Sequence, residues 1–190
     1  MPLAAKSLRR GYTLIEMLIV ISLMGIMAAL LLPRFEPSTY DQLQGAAQII
    51  SADIAYARNL AVTNDSRYTL TFDRTSNAYT LRHSGANNLL DVLPLTPYRH
   101  SGAAPDEQIT YLADLPHLGP GVELVGVSSG GGSVSASSTI EFHSLGGLEG
   151  AQPITIWLAC GVDEARRYQS LIIAPVTGLV AVGEFRAIAP

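Results

Sequence analysis

The sequence predicts an α+β protein in which one long N-terminal helix packs on an antiparallel β-sheet. Three features of the 190-residue chain support this class: a nearly uncharged apolar run over residues 12–32, an amphipathic helical pattern after it, and short alternating strands over the remainder. Helices and strands that occupy separate parts of a chain are typical of the α+β class. The predicted parts are a leader over 1–11, an apolar helix over 12–36 and a globular domain over 37–190.

The apolar run contains one charged residue, Glu16. About 20 apolar residues are enough for a helix to cross a bilayer, and a carboxylate inside such a helix costs about 2.5–3.5 kcal/mol on insertion scales. A charge kept at that cost predicts a function for Glu16. Lys6, Arg9 and Arg10 precede the run, so the positive-inside rule predicts a cytoplasmic N-terminus and a domain across the membrane. Pro33 closes the run and predicts a kink, because proline removes a backbone donor and clashes with the preceding turn.

Other N-terminal signals share some of these features. A cleaved secretory signal has an apolar core of about 7–15 residues and a small-residue cleavage site, whereas this core is longer and offers only a poor site at residues 27–29. The pair Arg9-Arg10 is also compatible with a twin-arginine export signal, but an export signal has no use for Glu16 within its core. These two alternatives and a plain membrane anchor are therefore less favoured than a segment in which the carboxylate acts.

An amphipathic helix is predicted over 37–65. Two candidate capping boxes lie at its start, Ser38 with Asp41 and Thr39 with Gln42. The apolar positions follow helical spacing and predict one face packed on a sheet. These positions are Leu43, Ala46, Ala47, Ile50, Ile54, Ala57 and Ala61.

Residues 66–190 are predicted to form short strands. Strands over 67–72 and 78–82 flank turn residues and predict a hairpin. Residues 83–120 are rich in proline and loop formers and predict a variable insertion, and the glycine- and serine-rich stretch 128–138 predicts a flexible loop. The other predicted strands are 122–127, 139–142, 154–159, 169–173 and 179–185, with the last turn at Thr177-Gly178.

Composition argues against a general nucleic-acid binder. The formal net charge is −4, and without the three basic residues of the leader nine basic residues face sixteen acidic ones. Contacts with phosphates require clustered Lys and Arg, so nucleic acid is a disfavoured partner. Cys160 is the only cysteine, which rules out a disulfide within the chain, and it is predicted to be a small buried apolar residue.

Catalytic and metal-binding motifs are weak. Residues 126–130 match the G-x-S-x-G nucleophile elbow, with Ser128 as the serine of a membrane-anchored hydrolase. That elbow requires a helix directly after the serine and a histidine after the acid, whereas a glycine-rich loop follows and His143 precedes Asp163. Asp163-Glu164 are weak evidence for a calcium ion. The histidines show no metal-ligand spacing and are predicted to have loop or solvent roles: His83, His100, His117 and His143. With no P-loop or dinucleotide motif, the chain is predicted not to be an enzyme and to need no metal or cofactor.

Residues 9–20, Arg-Arg-Gly-Tyr-Thr-Leu-Ile-Glu-Met-Leu-Ile-Val, resemble the processing motif of type IV pilins and type II secretion pseudopilins. The resemblance implies that a prepilin peptidase cuts between Gly11 and Tyr12 and that Tyr12, where the family usually has phenylalanine, is then N-methylated. It also implies that Glu16 faces the new amine of a neighbouring subunit and sets the axial register of a filament. Opposite charges in a low dielectric offset each other's desolvation, which gives such a pair a physical basis.

The C-terminal part resembles the domain shared by the minor pseudopilin GspH and the pilus-assembly protein FimT, on segments 138–142, 154–156, 171–173 and 176–180. This resemblance implies a minor pseudopilin of a type II secretion system, with one span of the inner membrane and a periplasmic domain. Its implied partners are other pseudopilins, bound through the N-terminal helix, and exported cargo. The alternative is a FimT-like minor pilin in pilus assembly or DNA uptake. Members that bind DNA carry basic residues after the Thr-Gly turn, where this chain has the apolar residues 179–182.

Overall fold

The computed structural model describes residues 11–31, 38–94, 104–115 and 121–190. The chain divides into two compact units, Met1–Glu36 and Pro37–Pro190. The described part of the first unit forms one helix, α1, over Leu14–Leu31. The second unit holds a further helix, α2, over Thr39–Thr63, together with the strands.

The described residues of the second unit form two antiparallel four-stranded sheets. The strands are β1 Tyr68–Asp73, β2 Ala78–His83, β3 Glu107–Tyr111, β4 Val122–Ser129, β5 Ser137–Phe142, β6 Ile154–Cys160, β7 Arg167–Ile173 and β8 Val180–Val182. The first sheet has the strand order β3-β2-β1-β5 and the second β4-β6-β7-β8. Single-turn 3₁₀ helices lie at Asn88–Leu90, Leu112–Asp114 and Asp163–Ala165. The predicted α+β class is confirmed, with the predicted sheet divided into two.

Helix α2 begins with a capping box, which is formed by the first of the two predicted pairs. The Ser38 hydroxyl accepts a hydrogen bond from the backbone nitrogen of Asp41 at 3.2 Å, and the Asp41 carboxylate accepts from the backbone nitrogen of Ser38 at 3.3 Å. This arrangement satisfies two backbone donors that would otherwise lack helical partners. At the other end, the backbone nitrogen of Asn64 donates to the carbonyl oxygen of Leu60 at 3.0 Å.

The buried face of α2 consists of the seven residues predicted from helical spacing. All seven are completely buried: Leu43, Ala46, Ala47, Ile50, Ile54, Ala57 and Ala61. Strands of both sheets pack against this helix, including β1 and β5 of the first and β6, β7 and β8 of the second. Alanines make up four of the seven positions, so the strands approach the helix backbone closely, and α2 closes the core over both sheets.

The predicted hairpin is confirmed, and its turn connects the two sheets. Strands β1 and β2 pair from Tyr68 with His83 to Asp73 with Ala78. In the turn, the side chain of Asn77 donates to the carbonyl oxygen of Val122 at 2.9 Å and accepts from the backbone nitrogen of Leu124 at 2.7 Å. Because both partners belong to β4, this side chain fixes the hairpin of the first sheet to the edge of the second.

Three predicted boundaries differ from the structure. Part of the predicted insertion, Glu107–Tyr111, is the edge strand β3 and pairs with β2. The predicted loop 128–138 is shorter, because β4 continues to Ser129 and β5 begins at Ser137. The last strand covers only Val180–Val182. Each of these differences depends on strand pairing between distant segments, and local composition does not predict such pairing.

The outer edge of β4 is irregular and covered. Its register with β6 shifts between Leu124 and Gly126, a β-bulge at which Gly126 has a φ of 147°. The loop after β4 then folds back, and Val127 and Ser135 exchange backbone hydrogen bonds of 3.0 and 2.8 Å. A Cβ at Gly126 would lie 2.4 Å from the carbonyl oxygen of Ser135, so the fold-back depends on the absence of a side chain there.

Arg58 of α2 ties together two turns of the second unit. Its Nε atom donates to the carbonyl oxygen of Thr177 at 2.7 Å and to that of Gly146 at 3.2 Å. Gly178 has a φ of 65°, and a Cβ added there would lie 2.2 Å from the carbonyl oxygen of Gly146 and 3.1 Å from Arg58 Cδ. The predicted Thr177-Gly178 turn is confirmed, and both its φ angle and its packing require glycine.

We expect Gly178→Ala to lower the free energy of unfolding by about 3 kcal/mol, because the collision with a backbone carbonyl adds to the strain of a positive φ. The matched control is Gly131→Ala: Gly131 has a φ of 78°, but an added Cβ would meet no atom within 4 Å. That variant should lose about 1 kcal/mol. Chemical denaturation of the full chain in detergent, followed by the fluorescence of its one tryptophan, measures both. Equal losses would contradict the close approach.

A partly buried carboxyl group also joins α2 to the first sheet. The Tyr79 hydroxyl of β2 donates to the Asp53 carboxylate of α2 at 2.5 Å. Burial raises the pKa of Asp53 above its usual 3.8, although the hydrogen bond from Tyr79 acts in the opposite direction. The folded state therefore holds the proton of Asp53 more tightly than the unfolded state does.

From that raised pKa we expect Asp53 to favour folding most below pH 3.8, and its contribution to be lost as the pH rises through the folded-state pKa. The wild type should therefore lose stability relative to Asp53→Asn between about pH 3 and pH 7. The control is Asp73→Asn, since a hydrogen bond from Ser76 and a further one from Thr75 lower the pKa of Asp73. Relative to that variant the wild type should gain stability as the pH rises from the folded-state pKa of Asp73 through 3.8, and should keep that gain at higher pH. Denaturant unfolding at several pH values measures both, and slopes of the same sign would contradict the assignment.

Candidate processing and assembly site

The predicted cleavage position lies in an exposed, non-helical stretch. Residues 11–13 have no regular secondary structure and directly precede α1. Tyr12 is 75% exposed, and a Cβ added at Gly11 would meet no atom within 4 Å. A protease needs an accessible backbone outside regular secondary structure, and the peptide bond between Gly11 and Tyr12 has both properties.

Thr13 caps the start of α1, a role that the sequence analysis did not predict. The backbone nitrogen of Glu16 lies 3.1 Å from the carbonyl oxygen of Thr13 and 3.3 Å from its hydroxyl oxygen. The signal was present as Thr13 three residues before Glu16, which is capping-box spacing. The Glu16 carboxylate thus lies in the first turn of α1, where the helix dipole favours negative charge.

The surface of α1 is apolar on every side. Apart from Glu16, Ser22 and Gly25, all residues of Leu14–Leu31 are hydrophobic, and every side chain described over 11–29 is exposed. The Ser22 hydroxyl donates to the carbonyl oxygen of Leu18 at 2.8 Å, so this polar group is satisfied within the helix. A helix that is apolar all round requires lipid or other helices around it.

Three of the predicted site residues lie together at the start of α1, namely Gly11, Tyr12 and Glu16. Pro33, the leader residues 1–10 and the end of the predicted span 12–36 lie outside the described residues. Within the part of the chain that the structure describes, no helix meets the length and hydropathy needed to span a membrane. The membrane span, the cleavage, the methylation and the kink all stay predictions.

The serine of the elbow-like motif occupies a strand. Ser128 lies in β4, pairs with Thr155 of β6 and is 5% exposed. A nucleophile elbow holds its serine at a sharp turn between a strand and a helix. The match at residues 126–130 is therefore a product of local glycine and serine content, and Ser128 is part of the packed sheet.

The acidic pair proposed for calcium is exposed. Asp163 and Glu164 lie in the 3₁₀ helix Asp163–Ala165. Among the described residues, no group of three or more His, Cys, Asp or Glu side chains is arranged to hold a metal ion.

His83 corrects the prediction that the histidines have loop or solvent roles. It ends β2, and its side chain is completely buried between Asp91 and Ser66, at 2.7 Å from each. Sequence spacing missed this arrangement because the partners lie on different segments. His143 is half-buried, and its Nδ1 atom accepts from the backbone nitrogen of Leu145 at 3.2 Å. His100 and His117 lie outside the described residues.

Cys160 is buried, as predicted. Its thiol lies 3.3 Å from the side-chain oxygen of Gln42 on α2. Burial raises the pKa of the Cys160 thiol, and a protonated thiol in apolar surroundings is unreactive.

The basic residues near the C-terminus contact their own chain. Arg166 Nη2 lies 2.7 Å from the carboxylate of Glu123, and Arg167 Nη1 donates to the carbonyl oxygen of Glu164 at 2.7 Å. The Arg186 guanidinium lies 5.4 Å from the centre of the Trp157 ring. These cations are engaged within the chain, and the expectation against a nucleic-acid partner stands as a prediction.

Residues 6–32 match the family model described as the prokaryotic N-terminal methylation motif. The match covers the predicted cleavage position, Tyr12 and Glu16, and it confirms the resemblance drawn from residues 9–20. The chain therefore carries the N-terminal motif of prepilin-like proteins, which are structural subunits and not enzymes. A comparison with curated proteins finds no match.

Solved structures with a similar fold include two minor subunits. The minor pseudopilin EpsH from the type 2 secretion system of Vibrio cholerae is 13% identical, and the likeness covers 75% of this chain and 96% of that chain with a TM-score of 0.49. The type IV minor pilin FimU of Pseudomonas aeruginosa is 18% identical in one crystal form, with coverage of 75% and 93% and a TM-score of 0.44. In another crystal form the identity is 17%, the coverage 76% and 90%, and the TM-score 0.49. Likenesses of this size do not separate a secretion pseudopilin from a pilus subunit.

Proposed function

We propose that this chain is a minor pseudopilin of a type II secretion system, processed by a prepilin peptidase, held in the inner membrane and assembled into a periplasmic filament. The observation that carries the proposal is the methylation-motif match over residues 6–32. It coincides with an exposed Gly11–Tyr12 bond directly before an apolar helix. The coarser conclusion, a pilin-like filament subunit, rests on the motif alone.

Processing is the first step. Hydrolysis of the bond between Gly11 and Tyr12 releases the leader with a new carboxylate on Gly11 and leaves a free amine on Tyr12, which is the methylation site. Glycine before the bond supports this step, because a residue without a Cβ lets the peptidase approach the backbone closely.

Storage in the membrane is the second step. The all-round apolar surface of α1 is suited to lipid before assembly and to neighbouring helices after it. The proposed span is 12–36, and the proposed kink at Pro33 would separate it from the periplasmic domain over 37–190.

Registration is the third step, and it depends on Glu16. The new ammonium group lies two residues before α1, near the positive end of the helix dipole, where a cation is disfavoured. A carboxylate from a neighbouring subunit compensates that charge: two unit charges about 4 Å apart attract by about 4 kcal/mol at an effective dielectric constant of 20. Because either charge alone is strongly penalised in an apolar environment, the pair favours one axial position.

Secretion is preferred to DNA uptake because of the charge of the globular unit. Acidic residues outnumber basic ones after the leader, and Arg166, Arg167 and Arg186 contact groups of their own chain. A minor pilin of a type IV pilus would follow the same three steps, with pilus assembly in place of cargo export.

We expect Gly11→Val to block processing, because its branched side chain obstructs the peptidase beside the bond that is cut. The matched control is Gly25→Ala, at a glycine that also has no atom within 4 Å of an added Cβ but lies inside α1. Mass spectrometry of the chain co-expressed with a prepilin peptidase should show loss of residues 1–11 in the wild type and in the control. A native chain that retains residues 1–11 in the presence of the peptidase would overturn the proposal.

We expect Glu16→Gln and Glu16→Ala both to insert into the membrane normally and to lose at least about tenfold in co-purification with sibling pilins, as for an interaction of roughly 1.4 kcal/mol or more. The two variants separate charge from side-chain size, because glutamine removes the charge of Glu16 but keeps the size and polarity of its side chain. Thr13→Ala, which removes the cap but keeps the charge, is the control and should retain most assembly. Normal assembly of Glu16→Gln would exclude the ionic role.

A further inference from the structure

Ser66, His83 and Asp91 form a continuous hydrogen-bonded chain outside the site described above. The Asp91 Oδ1 atom lies 2.7 Å from His83 Nδ1, and the Ser66 Oγ atom lies 2.7 Å from His83 Nε2. The His83 side chain is completely buried, whereas the Asp91 side chain is 44% exposed. Both are hydrogen-bond distances, and the distance between Ser66 and His83 lies within the range at which a nucleophile passes a proton to a base.

The chemistry of the partners determines the direction of the proton transfer. An ionised carboxylate only accepts hydrogen bonds, so it selects the tautomer of neutral His83 that carries hydrogen on Nδ1. The lone pair on Nε2 then accepts the hydroxyl proton of Ser66. A serine, a base and an acid that orients the base, connected in this order through these two ring nitrogens, are the arrangement that activates serine nucleophiles.

Neighbouring backbone groups and the ring of Tyr68 hold Ser66 and His83 in place. The backbone nitrogen of Ser66 donates to the carbonyl oxygen of Ala61 at the end of α2, at 3.0 Å. The ring of Tyr68 lies edge-on to His83, with centroids 5.0 Å apart. A Cβ added at Gly85 would lie 2.1 Å from Ser66 Oγ and 2.8 Å from His83 Nε2, so any other residue would break the hydrogen bond between them.

A polar cavity gives access to the serine. It has a volume of about 490 Å³, and its walls include Ser66, Arg67, Ser84, His143 and Ser144. The guanidinium of Arg67 lies 3.5 Å from the carboxylate of Glu141 and is 55% exposed. Arg67 directly follows Ser66 in the chain and lines the same cavity, so it brings a positive charge to the cavity in which an acyl-transfer intermediate would develop negative charge.

We propose that Ser66 is an activated nucleophile and a site of covalent modification by activated acyl compounds, namely carboxylic esters or thioesters. The Ser66 oxygen forms a bond to the acyl carbon as its proton passes to His83 Nε2. The bond to the alkoxide or thiolate then breaks, and that leaving group takes the proton from His83. The product is an O-acyl serine and an alcohol or thiol. The step modifies the subunit once and needs no turnover, which suits a structural protein.

The test uses the detergent-solubilised full chain and a fluorophosphonate probe. Ser66 attacks phosphorus, fluoride leaves, and His83 receives the proton. We expect one label per chain, mapped to Ser66 by peptide mass spectrometry. His83→Gln and Asp91→Asn should slow labelling about 100-fold or more, in line with the loss of a general base or of its orientation. Ser133→Ala, at an exposed serine of the loop after β4 that does not line this cavity, should label at the wild-type rate.

The effect of each substitution on the reactivity of Ser66 must be distinguished from its effect on folding. Tryptophan fluorescence shows whether each variant is folded, and Asp91→Asn is the informative variant if loss of the buried His83 unfolds the chain, since Asp91 is partly exposed. No label on Ser66, or equal rates in the wild type and a folded Asp91→Asn, would overturn the proposal.

Discussion

The buried face of α2 is the constraint on which the globular unit depends. The two four-stranded sheets share no hydrogen-bonded strand pair, and the same helix packs on both. Each buried leucine or isoleucine contributes about 1.5–3 kcal/mol, and the alanines between them let β strands of either sheet come near the helix axis.

Polar residues on the flanks of α2 extend this role. Asp53 contacts Tyr79 of the first sheet, while Arg58 holds two turns through backbone carbonyl groups. Asn77 connects the sheets directly. The helix is thus both the apolar centre and the point at which these turns attach to the core. The described part of the amino-terminal unit is built differently, because it consists of the single helix α1 without a core. The one acidic residue of α1 lies in its first turn.

Elements with local signals could be predicted from the sequence. The buried stripe of α2, the Ser38–Asp41 capping box and the β1–β2 hairpin depend on residues close to one another along the chain, and each was found in the predicted place. Three features depend on pairing between distant segments: the division into two sheets, the edge strand β3 and the position of Ser128 inside β4. Local composition does not contain this pairing, so predictions based on composition were wrong at these places. The environment of His83 was missed for the same reason, because Ser66 lies 17 residues before it on another segment. At the amino terminus, Gly11, Tyr12 and Glu16 were recognisable by motif, whereas the capping role of Thr13 required the helix start to be known.

The irregular margin of β4 has a consequence for how copies of this chain meet. An open, regular edge strand can pair with a strand of another molecule. Such pairing becomes more frequent when many copies of a protein are close together. Here the bulge at Gly126 and the returning loop at Ser135 occupy one side of the second sheet, and the three-residue β8 offers little length on the other. Crowded molecules are thereby hindered from joining their second sheets edge to edge.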